Sequence, residues 1–174
     1  MSKCNTKNLI FIDESAAKTN MCPLRGRSPR GERCYDSTPG SWHTTTMLSS
    51  LRLIGDPECI VFEGAVDKKM FNGYMNEMLL ETLHPGDIVI MDNLSAHKSF
   101  DKSMFAVKGV EIRYLPAYSP DLNPIEQMWS KIKTNLREAR ATESEELFHA
   151  IGDALETITA SNAKGWFEGC GYFQ

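Results

Sequence analysis

The stretch SPDLNPIEQMWSKIK, residues 119–133, decides how the second half of this chain folds. Asn123 is a favourable helix N-cap, Pro124 suits the first helical position, and Glu126 stands at the third. Four apolar residues then repeat at helical spacing: Ile125, Trp129, Ile132 and Leu136. The pattern predicts a helix that docks this apolar face on a sheet. It is also a capping-box spacing, in which Glu126 would fold back onto the backbone N–H of Asn123.

The composition of the chain is that of one globular domain. It has 174 residues, of which 41% are hydrophobic and 24% charged, and a net charge of −4. This charge argues against a surface that binds nucleic acid everywhere, but it leaves room for a local basic patch. The five cysteines form no CxxC pair, so neither a zinc knuckle nor a disulfide framework is indicated. No apolar run has the length of a signal peptide or a membrane span, so a cytoplasmic protein is expected.

The order of apolar runs predicts an α/β fold. Strands are predicted at residues 9–12, 42–54, 59–62, 88–91 and 110–115, and helices at 67–84, from around His97, at 124–140 and at 143–159. Three consecutive strands suggest an antiparallel meander, and the alternation of strand and helix that follows suggests two parallel strands. We therefore expect a mixed sheet flanked by helices.

Three acidic residues are predicted to meet at one edge of this sheet. Asp13 and Asp92 each follow a predicted strand, and Glu126 opens the helix after the last strand. Converging carboxylates repel one another unless a cation neutralises them, and Mg²⁺ prefers such hard oxygen ligands. Two such ions can promote an in-line phosphoryl displacement. Each residue also has an ordinary interpretation, because aspartate is common in turns and Glu126 fits a helix cap.

Five segments of the sequence resemble one family of enzymes. They are FIDES (11–15), RGRSPRGER (25–33), TTTMLSSLRLIG (44–55), VIMDNLSAHKS (89–99) and LPAYSPDLNPIEQMWSKIK (115–133). Together they are similar to the DDE transposases of bacterial insertion sequences in the mariner-like superfamily, whose catalytic domain has a ribonuclease-H-like fold. The two last segments are the most specific, and the 34 residues that separate Asp92 from Glu126 are close to the usual spacing of this family.

The resemblance implies both an activity and the residues that carry it. Asp13, Asp92 and Glu126 match the metal-binding triad, which implies Mg²⁺ or Mn²⁺, with two ions expected. The family nicks DNA at the ends of the element and transfers the freed 3′-hydroxyl into target DNA, commonly at a TA dinucleotide, and its members act in pairs. Supporting roles are expected for three neighbours of the triad: Asn93, His97 and Asn123. A lone histidine at a helix start is more often simply hydrogen-bonded there.

Two groups of basic residues are candidates for DNA contact. Residues 18–33 carry five cations and one acid, and these cations are Lys18, Arg25, Arg27, Arg30 and Arg33. On the helix that Glu126 opens, Lys133 and Arg137 follow the glutamate along one stripe. Arginine grips phosphate oxygens well, but a solvated loop and a solvated helix face explain the same patterns.

The sequence departs from the family at its start. Asp13 lies too near the first residue to leave room for the helix-turn-helix region that reads transposon ends, so residues 1–174 are expected to form a single catalytic domain without it. The chain would then be the downstream half of a split gene, with an upstream-encoded partner, or a remnant, acting in the bacterial nucleoid. Two other functions stay open: a ribonuclease-H-like nuclease that only cuts, and a non-catalytic fragment that binds DNA.

Overall fold

The computed structural model describes residues 5–93 and 100–173. Its five strands are β1 (Leu9–Lys18), β2 (Thr44–Arg52), β3 (Cys59–Glu63), β4 (Ile88–Met91) and β5 (Glu111–Tyr114). They form one sheet in the order β3-β2-β1-β4-β5, in which β1, β2 and β3 pair antiparallel while β4 and β5 join in parallel. The predicted mixed sheet, three antiparallel strands followed by two parallel strands, is confirmed.

Helices cover both faces of the sheet. In chain order they are α1 (Lys68–Gly73), a π-helical turn (Tyr74–Leu79), α2 (Leu80–Thr82), α3 (Ser103–Val107), α4 (Pro124–Ala139), α5 (Ser144–Glu156) and α6 (Ala160–Gly169). The prediction ended the helical region at Thr159 and so missed α6. The capping box between Thr159 and Asn162, which opens α6, was the signal for it. The helix predicted from around His97 begins outside the described residues.

The alternation of side chains along β1 divides the core in two. Leu9 and Phe11 pack in the cluster under α4, α5 and α6. Ile10 and Ile12 pack in the cluster under α1, α2 and α3. Because β4 and the first four residues of β1 are covered on both faces, these segments are continuous apolar runs. Within the described residues no helix has the length and apolar character needed to cross a membrane.

The structure corrects the predicted end of the first strand. β1 does not stop at Ile12, because its antiparallel pairing with β2 continues as far as Lys18 opposite Thr44. Its parallel pairing with β4 does stop there, with Ile12 opposite Met91. Asp13 therefore lies within a strand, at the level where the neighbouring strand has ended. Asp13 was predicted at the end of β1, but it lies inside this strand. It still follows directly on Ile12, where the parallel pairing with β4 ends.

The segment between β1 and β2, residues 19–43, forms a long exposed connection that we call the basic loop. Its base is closed by two hydrogen bonds between Thr19 and His43. The N–H of Thr19 donates to the carbonyl of His43 at 3.2 Å, and the N–H of His43 donates to Thr19 Oγ1 at 3.0 Å. Its far side is held by Arg140, which follows α4 in a left-handed conformation with φ 53°. Arg140 Nη1 donates to Asp36 Oδ1 at 3.0 Å, and Nη2 donates to the second carboxylate oxygen.

Candidate active site

A cavity of about 390 Å³ opens at the edge of the sheet where β4 ends. Asp13 from β1, Asp92 after β4 and Glu126 from the first turn of α4 all line it. The remaining lining comes from Asn93 and from the segment 115–123 that joins β5 to α4. The structure therefore brings the three acids selected from the sequence to one cavity, although they lie on three separate elements.

Asp13 is the buried member of the three. Only 8% of its surface is exposed, and Trp129 Nε1 donates a hydrogen bond to its Oδ2 at 3.2 Å. The pKa of Asp13 is raised to about 7, first by burial and then by the negative charges of Glu126 and Asp92. Hydrogen bonds from the backbone of Glu14 and from Trp129 oppose the rise. In the absence of a cation this carboxyl is therefore partly protonated at neutral pH.

The other two acids are more accessible to solvent. Asp92 is half-buried, while Glu126 and Asn93 are exposed. Among residues 5–93 and 100–173, no three His, Cys, Asp or Glu side chains stand close enough together to hold a metal ion as placed. Asp13, Asp92 and Glu126 thus share a cavity without forming a closed ligand cluster. An exposed glutamate at the first turn of a helix has the rotamer freedom needed to approach the two aspartates.

Asn123 stands at the N-cap of α4 but does not use its side chain as a cap. The residue is only 5% exposed, and its Oδ1 has no hydrogen-bond partner within the described part of the chain. The capping box that the spacing allowed as an alternative is not formed, since Asn123 makes no side-chain bond to the helix, and the N–H of Glu126 bonds instead to the Asn123 carbonyl at 3.1 Å. An unpaired buried amide oxygen that lines an acidic cavity is a further candidate ligand for a cation.

Two aromatic residues, Trp129 and Tyr172, also shape the site. Trp129 lies on the predicted apolar face of α4, which is buried as expected, yet its indole N–H holds Asp13. Tyr172, near the end of the chain, donates from its hydroxyl to the carbonyl of Leu122 at 2.7 Å. A buried indole N–H usually finds a partner, which was the available signal for Trp129. Nothing in the sequence pattern indicated the contact of Tyr172.

None of the predicted DNA-contacting cations lines the cavity. Four of them lie exposed on the basic loop, and no ion pair joins them to another described residue: Arg25, Arg27, Arg30 and Arg33. Lys18, at the base of this loop, places Nζ 5.1 Å from the centre of the Trp42 ring. Lys133 and Arg137 are half-buried on α4. His97 lies outside the described residues.

The donor set of the cavity fits a hard divalent cation. Carboxylate and amide oxygens are the ligands that Mg²⁺ and Mn²⁺ prefer, and the described lining offers three carboxylates and one buried amide oxygen that lacks a partner. Burial raises the pKa of Asp13 most, and the negative charges of Glu126 and Asp92 add to the rise; a cation would relieve this repulsion. None of the described residues that line the cavity carries a sulfur or imidazole ligand.

A mixed five-stranded sheet with three acids in a cavity at its parallel edge is the arrangement that the sequence resemblance implied. The comparison with protein families agrees, and the chain belongs to the DDE superfamily endonuclease family, whose model matches residues 8–148. The resemblance drawn from the five sequence segments is thereby confirmed. Asp13, Asp92 and Glu126 all fall inside the matched region.

Comparison with individual proteins shows sequence similarity to a Tc1 transposase. It is 28% identical over 119 residues to the transposable element Tc1 transposase of Caenorhabditis elegans, an alignment that covers 68% of this chain and 42% of that protein. The chain thus spans less than half the length of this relative.

The fold itself is found in solved structures of Mos1 transposase. The structure of a pre-cleavage Mos1 transpososome matches with a TM-score of 0.78 and 12% identity, over 96% of this chain and 54% of that one. A Mos1 mariner paired end complex with Mn matches with a TM-score of 0.68 and 12% identity, over 95% of this chain and 52% of that one. At this identity the likeness is one of fold, and it confirms the predicted ribonuclease-H-like architecture.

Proposed function

We propose that this chain cuts DNA at the ends of a transposable element and joins the freed 3′-hydroxyl to target DNA, as the catalytic domain of a Tc1/mariner-type transposase. The observation that carries the proposal is the meeting of Asp13, Asp92 and Glu126 at one cavity within the region matched by the DDE endonuclease family. Membership of this family and similarity to the Tc1 transposase support the reaction class.

Asp13, Asp92 and Glu126 would hold the divalent cations, two Mg²⁺ or Mn²⁺ ions, and the amide oxygen of Asn123 is available beside them. The solved Mos1 mariner paired end complex with Mn supports this choice of metal. When bound, such ions activate an attacking oxygen and stabilise the departing one in phosphodiester chemistry.

The protein's own contribution is to hold the carboxylate of Asp13 in place before DNA arrives. Trp129 fixes one oxygen of Asp13 by its N–H, and so prevents this side chain from turning towards solvent. Burial keeps the carboxyl poorly hydrated, which strengthens its interaction with any positive charge that enters. Because the pKa of Asp13 is about 7, cation binding at neutral pH displaces a proton from it.

DNA would be held by charges outside the cavity. The exposed arginines of the basic loop are free to contact phosphates, and Lys133 and Arg137 follow Glu126 on α4. Asn93 lines the cavity next to Asp92 and can assist there, and a supporting role for His97 is retained as part of this proposal. Such contacts set affinity and position but carry no sequence information.

Recognition of transposon ends would need a second module. The chain covers 42% of the Tc1 transposase, so a helix-turn-helix partner, encoded upstream or supplied by a longer protein, is proposed to provide it. We further propose that two copies act together in the nucleoid of a bacterial cell.

The test begins with the metal. Added Mn²⁺ or Mg²⁺ should raise the melting temperature of the purified chain, because a ligand that binds only the folded state stabilises it. The double variant Asp13→Asn, Asp92→Asn should lose this response. An equal metal-induced shift in the double variant would refute the proposed metal site.

The second step separates the possible reactions. The chain is incubated with supercoiled plasmid and an oligonucleotide duplex that carries a free 3′-hydroxyl, in Mn²⁺. Joining of the oligonucleotide to the plasmid is the expected result and identifies strand transfer. Nicking without joining would indicate a simple nuclease, and neither product despite a metal response would favour a non-catalytic fragment.

A further inference from the structure

Tyr118 is placed in a way that packing does not explain. It lies in the segment between β5 and α4, lines the acidic cavity, and its relative exposure is 101%. An aromatic ring gains stability from burial, so a ring left wholly in water at the rim of a cavity is available to a ligand.

The backbone of Tyr118 adds a second, independent observation. Its φ is 57°, and Tyr118 and Arg140 are the two non-glycine residues with positive φ in the described part of the chain. For a bulky side chain this left-handed conformation is disfavoured, and such strain persists where the surrounding structure imposes it, often at functional sites. Here the segment is held at both ends, because the N–H of Leu115 donates to the carbonyl of Met91 at 2.9 Å and Tyr172 holds Leu122.

The rest of the cavity wall shows which kind of ligand would fit. Beside the three acids, the lining is apolar along the same segment, with Leu115, Pro116, Ala117 and Pro120. A cation-binding edge next to an apolar wall with a free aromatic ring matches a nucleotide, whose phosphate meets cations and whose base has a flat apolar face. Bases stack on aromatic side chains when they are unpaired, and duplex bases are already stacked on each other.

We propose that Tyr118 is a base-stacking residue, which receives one unpaired base of the DNA strand next to the phosphate that lies at Asp13, Asp92 and Glu126. This inference rests on the proposed function, since it assumes that DNA enters this cavity. It adds that the strand is locally unpaired there, and that the phenyl ring of Tyr118, rather than its hydroxyl, makes the contact.

The experiment compares two DNA probes and four proteins by fluorescence anisotropy in Mg²⁺. Each probe is a hairpin duplex with a short single-stranded 3′ overhang, which carries either normal bases or abasic sites with the same phosphates. The proteins are the wild type, Tyr118→Ala, Tyr118→Phe and Tyr35→Ala. Tyr35 is the matched control, because it is an aromatic residue with 82% exposure on the basic loop, away from the cavity lining.

The wild type should bind the overhang with bases roughly tenfold more tightly than the abasic overhang, as a single base stack is worth about that factor. Tyr118→Ala should bind both probes with the weaker affinity, whereas Tyr118→Phe and Tyr35→Ala should keep the preference. Since the side chain of Tyr118 is fully exposed, Tyr118→Ala should melt no lower than the wild type, which excludes misfolding as the cause. An undiminished base preference in Tyr118→Ala would overturn the inference.

The outcomes also separate this inference from the proposed function. If Tyr118→Ala keeps the base preference while the wild type still joins DNA ends in Mn²⁺, the stacking role fails and the proposed function stands. If the wild type shows no metal response and no DNA joining but loses its base preference on Tyr118→Ala, the proposed function fails instead. A concentration-dependent dimer that Tyr118→Ala abolishes, without any base preference, would assign the ring to a second copy of the chain and overturn the inference.

Discussion

The acidic cavity and the basic loop use charge in opposite ways. Asp13 is 8% exposed, is held by Trp129 Nε1 at 3.2 Å, and has its pKa raised by burial. Arg25, Arg27 and Arg30 are exposed to solvent, without an ion pair to another described residue. A charge in a poorly hydrated site acts strongly over a few ångströms, while charges in water act weakly and are screened by salt. The cavity is therefore expected to respond to single substitutions, and the loop only to several together.

The largest effect is expected for Glu126→Gln. The structure shows no capping box at α4, so the side chain of Glu126 is not needed for the helix start. The variant should retain a stability within about 1 kcal/mol of the wild type, which is the usual worth of a helix cap. It should lose metal-dependent DNA cleavage, because a cation binds a carboxylate far more strongly than a neutral amide. Plasmid nicking in Mn²⁺ measures the loss.

Glu138→Gln provides the matched control for this substitution. Glu138 is an exposed glutamate on the same helix, and it does not line the cavity. The Glu138→Gln variant should cleave DNA as the wild type does. Equal cleavage by wild type and Glu126→Gln would remove Glu126 from the proposed metal site and leave the cavity with two acids.

The next effect is a pH-dependent gain in stability for Asp13→Asn without metal. The folded-state pKa of Asp13 is about 7 against 3.8 for the free side chain, so ionisation destabilises the folded chain. The contribution of Asp13 to the free energy of unfolding is fully present below pH 3.8 and is lost as the pH rises towards 7. Above pH 7 it no longer changes. Asparagine can still accept the bond from Trp129 but carries no charge. In EDTA the variant should therefore be more stable by roughly 2–4 kcal/mol at pH 8 and little changed at pH 4.

Urea denaturation at both pH values measures this difference. The result should reverse on adding Mg²⁺, which stabilises the wild type and leaves Asp13→Asn unchanged. A stability difference that is the same at pH 4 and pH 8 would show that the destabilisation comes from packing and not from the buried charge.

A smaller effect is expected from the triple variant in which Arg25, Arg27 and Arg30 become alanine. If these arginines contact phosphates, each lost contact should reduce the slope of log affinity against log salt by about 0.9, for any duplex sequence. The melting temperature should hardly change, because the side chains are exposed and make no ion pair with the described residues. The salt dependence of DNA binding by anisotropy is the measurement.

A second triple variant controls for net charge. Lys7, Lys68 and Lys69 are exposed lysines outside the basic loop, and their change to alanine removes the same three charges. If both triple variants have the same salt slope, the loop has no specific part in DNA binding and only the overall charge matters.

The smallest effect is expected where the loop is tied to the fold. Arg140 and Asp36 form an exposed bidentate ion pair, and the hydrogen bonds from the arginine lower the pKa of Asp36. Exposed ion pairs contribute little to stability. Arg140→Lys, which cannot make the bidentate pair, should therefore lower the melting temperature by no more than about 2 °C. Trypsin should nevertheless cut the basic loop faster, and Asp36→Asn should do the same. A loop equally resistant in all three proteins would show that other contacts hold it.

The accuracy of the sequence prediction varied with the range of the interactions. The strands, and α4 with its buried face of Ile125, Trp129, Ile132 and Leu136, were predicted correctly because periodicity within one element reports which side is covered. The end of β1 was wrong, since pairing with β2 extends it past the apolar run to Lys18. The capping box, the alternative interpretation of this spacing, is not formed, because Asn123 turns its amide into a buried position instead of onto the helix.

What the sequence determined by itself is the order of elements, the mixed sheet and the choice of Asp13, Asp92 and Glu126, because apolar period, turn residues and family motifs are all local patterns. What only the tertiary structure decided is how these residues are surrounded. The indole that holds Asp13 comes from 116 residues away, and the tyrosine hydroxyl that holds Leu122 comes from 50 residues away. Burial and the pKa of a carboxyl depend on neighbours in space, and no local pattern encodes which distant side chains those will be.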